Sequence, residues 1–259
     1  MSKEELIERN RELLKSLTWD EMLSFGDPDQ AKGIPPPPAQ KSYQKDALLI
    51  ELIDPMDITL GSVSLKDAIN RRRSRRKYNE EPLSIEELSF LLWAVQGVHQ
   101  VDLLNPTRAA RRTVPSGGAR NPYETYLIIT KVEGLEPGVY RYIFLEHKLQ
   151  FLSNASPSLN DRIIEACDEQ SFTGKAAVVF VWAAIPCRTE WRYSVVAYKD
   201  ILIEAGHICQ NLYLACEALG AGTCAISGYD QKKMDSLLGI DGQDEFTVYT
   251  ATVGKVSTK

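Results

Sequence analysis

VVAYKDILIEAGHICQNLYLACEAL, residues 195–219, is the longest helical pattern of the chain and the stretch on which its fold turns. Ile201, Ala205, Ile208, Leu212, Ala215 and Leu219 recur at spacings of four and three, the period of one helix face. Leu202, Cys209, Leu214 and Cys216 carry apolar character beyond that stripe, which predicts a helix buried nearly all round. Gly220 follows as the residue that ends it. Just upstream, AAVVFVWAAI at 176–185 is apolar throughout and suits a strand covered on both faces. A central strand beside a buried helix is the kernel to which the rest must attach.

Downstream, Ala221 to Tyr229 reads as a loop, Lys232 to Leu238 as a short helix and Phe246 to Val253 as a final strand. Upstream, the patterns alternate irregularly. Tyr126 to Val132 is a strand by its β-branched content, and Gly134-Leu135-Glu136-Pro137-Gly138 turns the chain into Val139 to Ile143. Lys148 to Leu152 extends that meander, and a helix follows near Leu159 to Cys167. Residues 98–122 read as irregular and polar. Ser84, with Glu87 three positions on, opens a helix whose face is Leu88, Leu91, Leu92 and Val95 and which stops at Gly97. From Ser64 another helix runs Leu65 to Arg71. Strands and helices therefore mix without regular β-α-β alternation, which predicts an α+β sandwich with helices around a mostly antiparallel sheet.

The first sixty or so residues read differently. Residues 4–24 carry a helical stripe of Leu6, Leu13, Leu14 and Leu17, after which Gly33-Ile34-Pro35-Pro36-Pro37-Pro38 demands an extended arm. The arm must pack on a surface, of its own chain or of a partner.

Composition narrows the function. The chain has 259 residues, 44% hydrophobic and 25% charged, with a formal net charge of -5, which disfavours nucleic acid as the main partner. No secretory leader and no apolar run of membrane-spanning length is legible, so the expectation is a cytoplasmic protein without a membrane segment. Five scattered cysteines form no C-x-x-C pair and predict reduced thiols rather than a disulfide framework. His99, His147 and His207 stand in no metal-ligand spacing. There is no Gly-x-Gly-x-x-Gly after a strand, no Gly-x-x-x-x-Gly-Lys-Ser/Thr loop and no Gly-x-Ser-x-Gly elbow.

Against this acidic background Arg72-Arg73-Ser74-Arg75-Arg76 stands out. On extended backbone Arg72, Ser74 and Arg76 face one way and Arg73 and Arg75 the other. Two guanidinium forks beside a hydroxyl match a phosphate monoester. A solvated basic turn or a nucleic-acid patch remains the alternative from the run alone. Two further loops stand out by composition: the Ser/Gly-rich Pro115-Ser116-Gly117-Gly118-Ala119, and a second Gly-rich loop after the long helix.

Taken together these motifs resemble those of FMN-dependent nitroreductase-like flavoproteins. The arginine run resembles their Arg-x-Ser-x-Arg/Lys phosphate motif. Pro115 to Ala119, with Pro122 and Glu124, is similar to their Pro-Ser-Ser/Ala-Gly-Ala loop. Gly134 to Tyr140 and Glu204-Ala205-Gly206-His207 with Gln210-Asn211-Leu212 resemble the SagB-type dehydrogenase branch, which oxidises peptide thiazolines and oxazolines. The resemblance covers about residues 65–256. It implies an FMN-binding domain over 63–259, paired as a homodimer with flavin at the interface, while the N-terminal helix and Pro-rich arm over 1–62 fall outside it.

The same resemblance implies FMN held by Arg72, Arg73, Ser74 and Arg76 at the phosphate, with Lys255 a candidate second cation or else a solvated surface lysine. Pro115, Ser116 and Gly117 would lie at the flavin's polar edge and Ser227 and Gly228 near N5. NAD(P)H is the implied electron donor in a ping-pong cycle toward a nitroaromatic, a quinone or a similar acceptor. The alternatives are dehydrogenation of a peptide azoline and, more distantly, a non-catalytic anion-binding protein. Tyr198 and Lys199 are the candidate acid/base pair, or else a half-buried tyrosine with a solvated lysine. His207 reads as a satisfied buried histidine. Trp182, Trp191 and Tyr193 read as core, or as the wall of a cleft.

Overall fold

The computed structural model describes residues 1–100 and 110–257; the part of the expected irregular stretch at 101–109 lies outside the described residues. Helices α1 (Lys3–Leu14) and α2 (Trp19–Leu23) start at capping boxes, Ser2 with Glu5 and Thr18 with Glu21. The single helix expected over 4–24 is thus two, separated where Ser16, Leu17 and Thr18 leave helical geometry to make the second cap. After the arm come β1 (Leu49–Glu51), α3 (Leu65–Arg71) and α4 (Ile85–Gln96), the last opened by the Ser84–Glu87 box. A small two-stranded ribbon follows, β2 (Val98–Gln100) with β3 (Arg111–Arg112), inside the stretch read as irregular.

The meander β4 (Tyr123–Ile129), β5 (Gly138–Ile143) and β6 (Lys148–Asn154) leads to α5 (Leu159–Ala166) and the core strand β7 (Val178–Ala184). Helix α6 (Cys187–Tyr193) then delivers the chain to α7 (Ala197–Leu219), which Gly220 ends in the left-handed region. The chain finishes with β8 (Ala221–Ile226), α8 (Gln231–Leu238) and β9 (Phe246–Lys255).

Among the described residues seven strands form one sheet in the order β1-β6-β5-β4-β7-β9-β8, every pairing antiparallel. Strand β7 shows why the apolar run at 176–185 has no polar face. Val178, Phe180, Trp182 and Ala184 pack in the core beneath α4 and α7, while Val179, Val181 and Ala183 pack in the core beneath α5 and α8. Each large apolar side chain so enclosed contributes about 1.5–3 kcal/mol, so this strand alone anchors both layers.

Further expectations need correction. Residues 221–226 are not loop but the edge strand β8, paired along its whole length with β9. Helix α7 is not covered all round: Leu202 is 60% and Ile203 48% exposed, and Gly206, His207 and Gln210 share that open side. His207 is therefore an exposed histidine, not a buried one. The arm finds its surface on its own chain. Trp191 Nε1 donates to the Ile34 carbonyl at 2.7 Å and Arg188 Nε to the Pro38 carbonyl at 2.9 Å. The Lys41 amide donates to Glu124 at 2.9 Å, and β1 then adds itself to the sheet edge. No helix of the described residues is long and apolar enough to cross a membrane.

Candidate functional site

The arginine run leaves α3 and lies along the edge strand β8. Ser74 bridges Thr223 in parallel, and the Arg75 amide donates to the Thr223 carbonyl at 2.9 Å. So close an approach needs Gly222: a Cβ there would stand 2.9 Å from the Cβ of Arg75 and 2.5 Å from Val256. The run then sorts by side. Arg72 places its guanidinium 5.1 Å from the ring centre of Tyr213 on α7, and the Ser74 hydroxyl is 2.9 Å from the Tyr213 hydroxyl. Arg76 lies 5.7 Å from the ring centre of Phe172 and beside the Cys224 thiol; burial pushes that thiol up and Arg76 pulls it back. On the other side Arg75 pairs with Glu217 through contacts of 3.2 and 3.4 Å. Arg73 folds back onto the carbonyls of Asn70 and Arg72 at the C-terminal end of α3, where a cation is favoured. Among the described residues, Arg72 and Arg76 have no carboxylate partner.

The Pro115 loop lies against α7 nearer its start. Ser116 Oγ and the Gly117 amide both donate to Glu204 Oε1, each at 2.8 Å. The Asn121 amide donates to Ser116 Oγ at 2.8 Å and the Ala119 amide to the Ser116 carbonyl at 3.0 Å, so the loop closes on itself. Gly118 has φ +57°, and a Cβ there would lie 2.8 Å from Arg192 and 2.9 Å from the Tyr193 hydroxyl; only glycine fits. Glu204 is 4% exposed. Burial pushes its carboxyl up to about 7, Asp200 pushes the same way, and the Ser116 and Gly117 donors and Arg112 pull it down.

The remaining sequence candidates are distributed more widely. Ser227 and Gly228 are exposed at the end of β8, and the Gly228 carbonyl accepts from Gln170 Nε2 at 3.2 Å. Lys255 binds Glu87 and stands 3.8 Å from Glu81, so its charge is already matched by carboxylates. Tyr198 and Lys199 hold the end of α1, donating to the carbonyls of Leu13 at 2.8 Å and Leu14 at 2.9 Å. Trp182 and Trp191 are core, while Tyr193 is half-buried beside Gly118. No group of His, Cys, Asp and Glu among the described residues has the arrangement of a metal centre.

Sequence reasoning missed Tyr213 and Phe172, and quoted Glu204 within a motif without giving it a role. Glu204 left a signal, a carboxylate three positions after Ile201 in the apolar stripe of α7. Tyr213 left none, since an aromatic residue in a buried helix reads as core. The two clusters hang on one helix but do not meet. Glu204 and Tyr213 are nine residues apart, so about 13 Å along the axis and about half a turn round it. One chain thus presents the Ser116 loop and the arginine run on opposite flanks of α7.

An antiparallel sandwich built on a long helix, with an arginine–serine run along its edge strand, is the α+β architecture of the nitroreductase type. The nitroreductase family model matches residues 69–255, and the chain belongs to that family. A nitroreductase-type protein of Methanocaldococcus jannaschii is 31% identical over 205 residues, which are 78% of this chain and 98% of that one. The trifolitoxin-processing protein TfxB of Rhizobium leguminosarum bv. trifolii is 29% identical over 164 residues, 61% of this chain and 44% of TfxB. The microcin B17-processing protein McbC of Escherichia coli is 26% identical over 137 residues, 51% of this chain and 50% of McbC. The chain thus spans about half the length of these two processing proteins.

Among solved structures, a nitroreductase-type protein of Ralstonia eutropha superposes with a TM-score of 0.65 at 23% identity, covering 86% of this chain and 95% of that one. A chain of the E. coli microcin synthetase McbBCD complex with truncated pro-MccB17 bound gives 0.60 at 20% identity, covering 94% and 99%. These two likenesses establish the fold.

Proposed function

We propose that the chain is an FMN-dependent oxidoreductase that works as a homodimer. The observation that carries the reading is the pair Arg72 and Arg76, two guanidinium groups without carboxylate partners among the described residues, on either side of the Ser74 hydroxyl. Their donor set fits a phosphate monoester, which asks for charge-assisted N–H groups and tolerates one small hydroxyl. In an acidic chain that holds Arg75 against Glu217, leaving these two cations unneutralised argues for an anionic ligand. When bound, FMN supplies two-electron transfer between NAD(P)H and a nitroaromatic, quinone or similar acceptor.

The chain's own residues divide the work. Arg72, Ser74 and Arg76 take the phosphate, with Arg73 a lesser contributor because it serves the end of α3. Pro115, Ser116 and Gly117 form a small-residue surface that admits a flat ring. Ser227 and Gly228, exposed at the end of β8, offer backbone amides. Lys255, already bound to Glu87, is a phosphate ligand only if that pairing opens. The opposite-flank arrangement on α7 supports a site shared between two chains, and the exposed Leu202 and Ile203 give that helix an apolar side to pair with. The arm over 1–62 and the FMN-binding domain over 63–259 would then act as one body, since the arm adds β1 to the sheet.

A second reading, dehydrogenation of a peptide azoline, draws on the similarity to TfxB and McbC and on the fold likeness to the peptide-bound synthetase complex. In it Tyr198 and Lys199 are the acid/base candidates, and they become available when α1 releases them. Anaerobic titration of FMN-loaded protein with NADH and NADPH separates the two. Bleaching of the flavin by either nucleotide supports the first reading; no bleaching, with oxidation of an azoline peptide under O2, supports the second.

A further inference from the structure

Glu204 joins the Pro115 loop to the long helix. Its Oε1 takes the Ser116 hydroxyl and the Gly117 amide together, both at 2.8 Å, in a setting that leaves the residue 4% exposed. The other bonds of Ser116 close the loop on itself, so the carboxyl is what fixes the Ser116–Gly117 end to α7. We propose that Glu204 is a positioning residue: its carboxylate is the latch that holds this end of the loop in the shape that receives the flavin, and loss of the carboxylate charge loosens it. The inference rests on the flavin reading for its purpose, but the latch itself rests on the two bonds.

The physical case is one of donor and acceptor count. An ionised carboxylate only accepts, and both contacts are then charge-assisted. The neutral acid must place a proton on one oxygen, which weakens its hold on two donors that converge on a single atom. Which form prevails depends on the surroundings. Asp200 lies one turn earlier on α7 and disfavours a second negative charge. Arg112, on β3, favours it, but that guanidinium is taken up by Gln96, by the carbonyls of Tyr123 and Ala39, and by the Phe144 ring beneath it. The Tyr123 hydroxyl on β4 donates to the Ile201 carbonyl at 2.6 Å and stays neutral. Burial and Asp200 together bring the carboxyl to about 7, so its charge changes most steeply near neutral pH.

The test reads the loop directly. Amide hydrogen exchange across residues 114–121 of the FMN-free protein, corrected for the intrinsic pH dependence of exchange, is compared on either side of neutral pH. Because the two donors lower the carboxyl and α7 keeps it enclosed when the loop opens, the wild type gains loop protection as pH rises even while its global stability falls. Glu204→Gln is flat, and Ser116→Ala loses part of the gain. FMN affinity, read by quenching of flavin fluorescence, follows: about three- to tenfold weaker in Glu204→Gln above neutral pH, with the difference vanishing below it. The variant is the necessary control because a phosphate monoester itself titrates near pH 6. Equal protection and equal pH profiles in wild type and Glu204→Gln overturn the latch. Wild-type protein that binds no FMN but shows the pH-dependent protection overturns the flavin reading and leaves the latch standing.

Discussion

Ser74 Oγ lies 2.9 Å from the hydroxyl of Tyr213, so the middle of the arginine run is pinned to the longest helix of the fold. The same hydroxyl accepts from the Ala225 amide at 3.0 Å, which ties the run, the helix and the edge strand β8 at one point. Arg72 and Arg76 are thereby held on one side of a rigid seam rather than on a free turn.

Arg72→Ala and Arg76→Ala should each weaken FMN binding by roughly ten- to a hundredfold, the loss of a charge-assisted contact of about 1.5–3 kcal/mol. Arg75→Ala should act otherwise. It strips Glu217 of its partner across a partly exposed pair, so it lowers stability by about 1 kcal/mol and changes flavin affinity little. Fluorescence titration with FMN and urea denaturation of the three variants check this; equal flavin loss in all three contradicts the sorting by side.

Much of this was legible in the sequence. The alternation of Arg72, Ser74 and Arg76 against Arg73 and Arg75 goes with the partners each takes, aromatic rings and a hydroxyl for the first set, a carboxylate and backbone carbonyls for the second. Strand β7 and helix α7 were readable from unbroken apolar pattern, and the start of α4 from its capping box. Strand β8 was not. Ala221-Gly222-Thr223-Cys224-Ala225-Ile226 is poor in β-formers, and its Gly222 is set by contact with Arg75 and Val256, far off in sequence. The exposure of Leu202, Ile203 and His207 was equally hidden, since hydrophobic spacing cannot tell a core face from one left open. Tyr213 and Glu204 owe their roles to partners across the fold.

Glu204 also predicts how stability varies with pH. Its carboxyl holds a proton up to about 7 in the folded chain and only to about 4.5 when unfolded. Between these values the native state binds more protons, so stability is greatest below the lower value and falls as pH rises toward the higher one. The loss attributable to this group is on the order of 3 kcal/mol. Glu204→Gln should flatten that part of the profile, measured by urea denaturation at a series of pH values.

The buried pair Arg188–Glu124 should be intolerant of half-removal. Arg188 is 2% exposed and Glu124 fully enclosed, so Arg188→Ala leaves a carboxylate without its cation and costs about 3–5 kcal/mol. Replacing both with apolar residues of similar size should recover most of that loss. Denaturant midpoints of the single and double variants decide it.

Deleting residues 1–17 should leave the body folded, because no residue of α1 is buried. Deleting residues 1–42 should not. It removes the Pro38 and Ala39 carbonyls that Arg188 and Arg112 use, together with the Lys41 contacts to Glu124 and Glu245. Thermal melting should show a small change for the short deletion and a large fall, or no cooperative transition, for the long one.

The central claim is that the arginine run is one end of a flavin site. The visible spectrum of purified protein, incubated with FMN and desalted, tests it most directly beside the same preparation of Arg72→Ala. The account predicts yellow wild-type protein with near-stoichiometric flavin and a variant that loses it on desalting. A folded wild-type protein that remains colourless after incubation with FMN would contradict it.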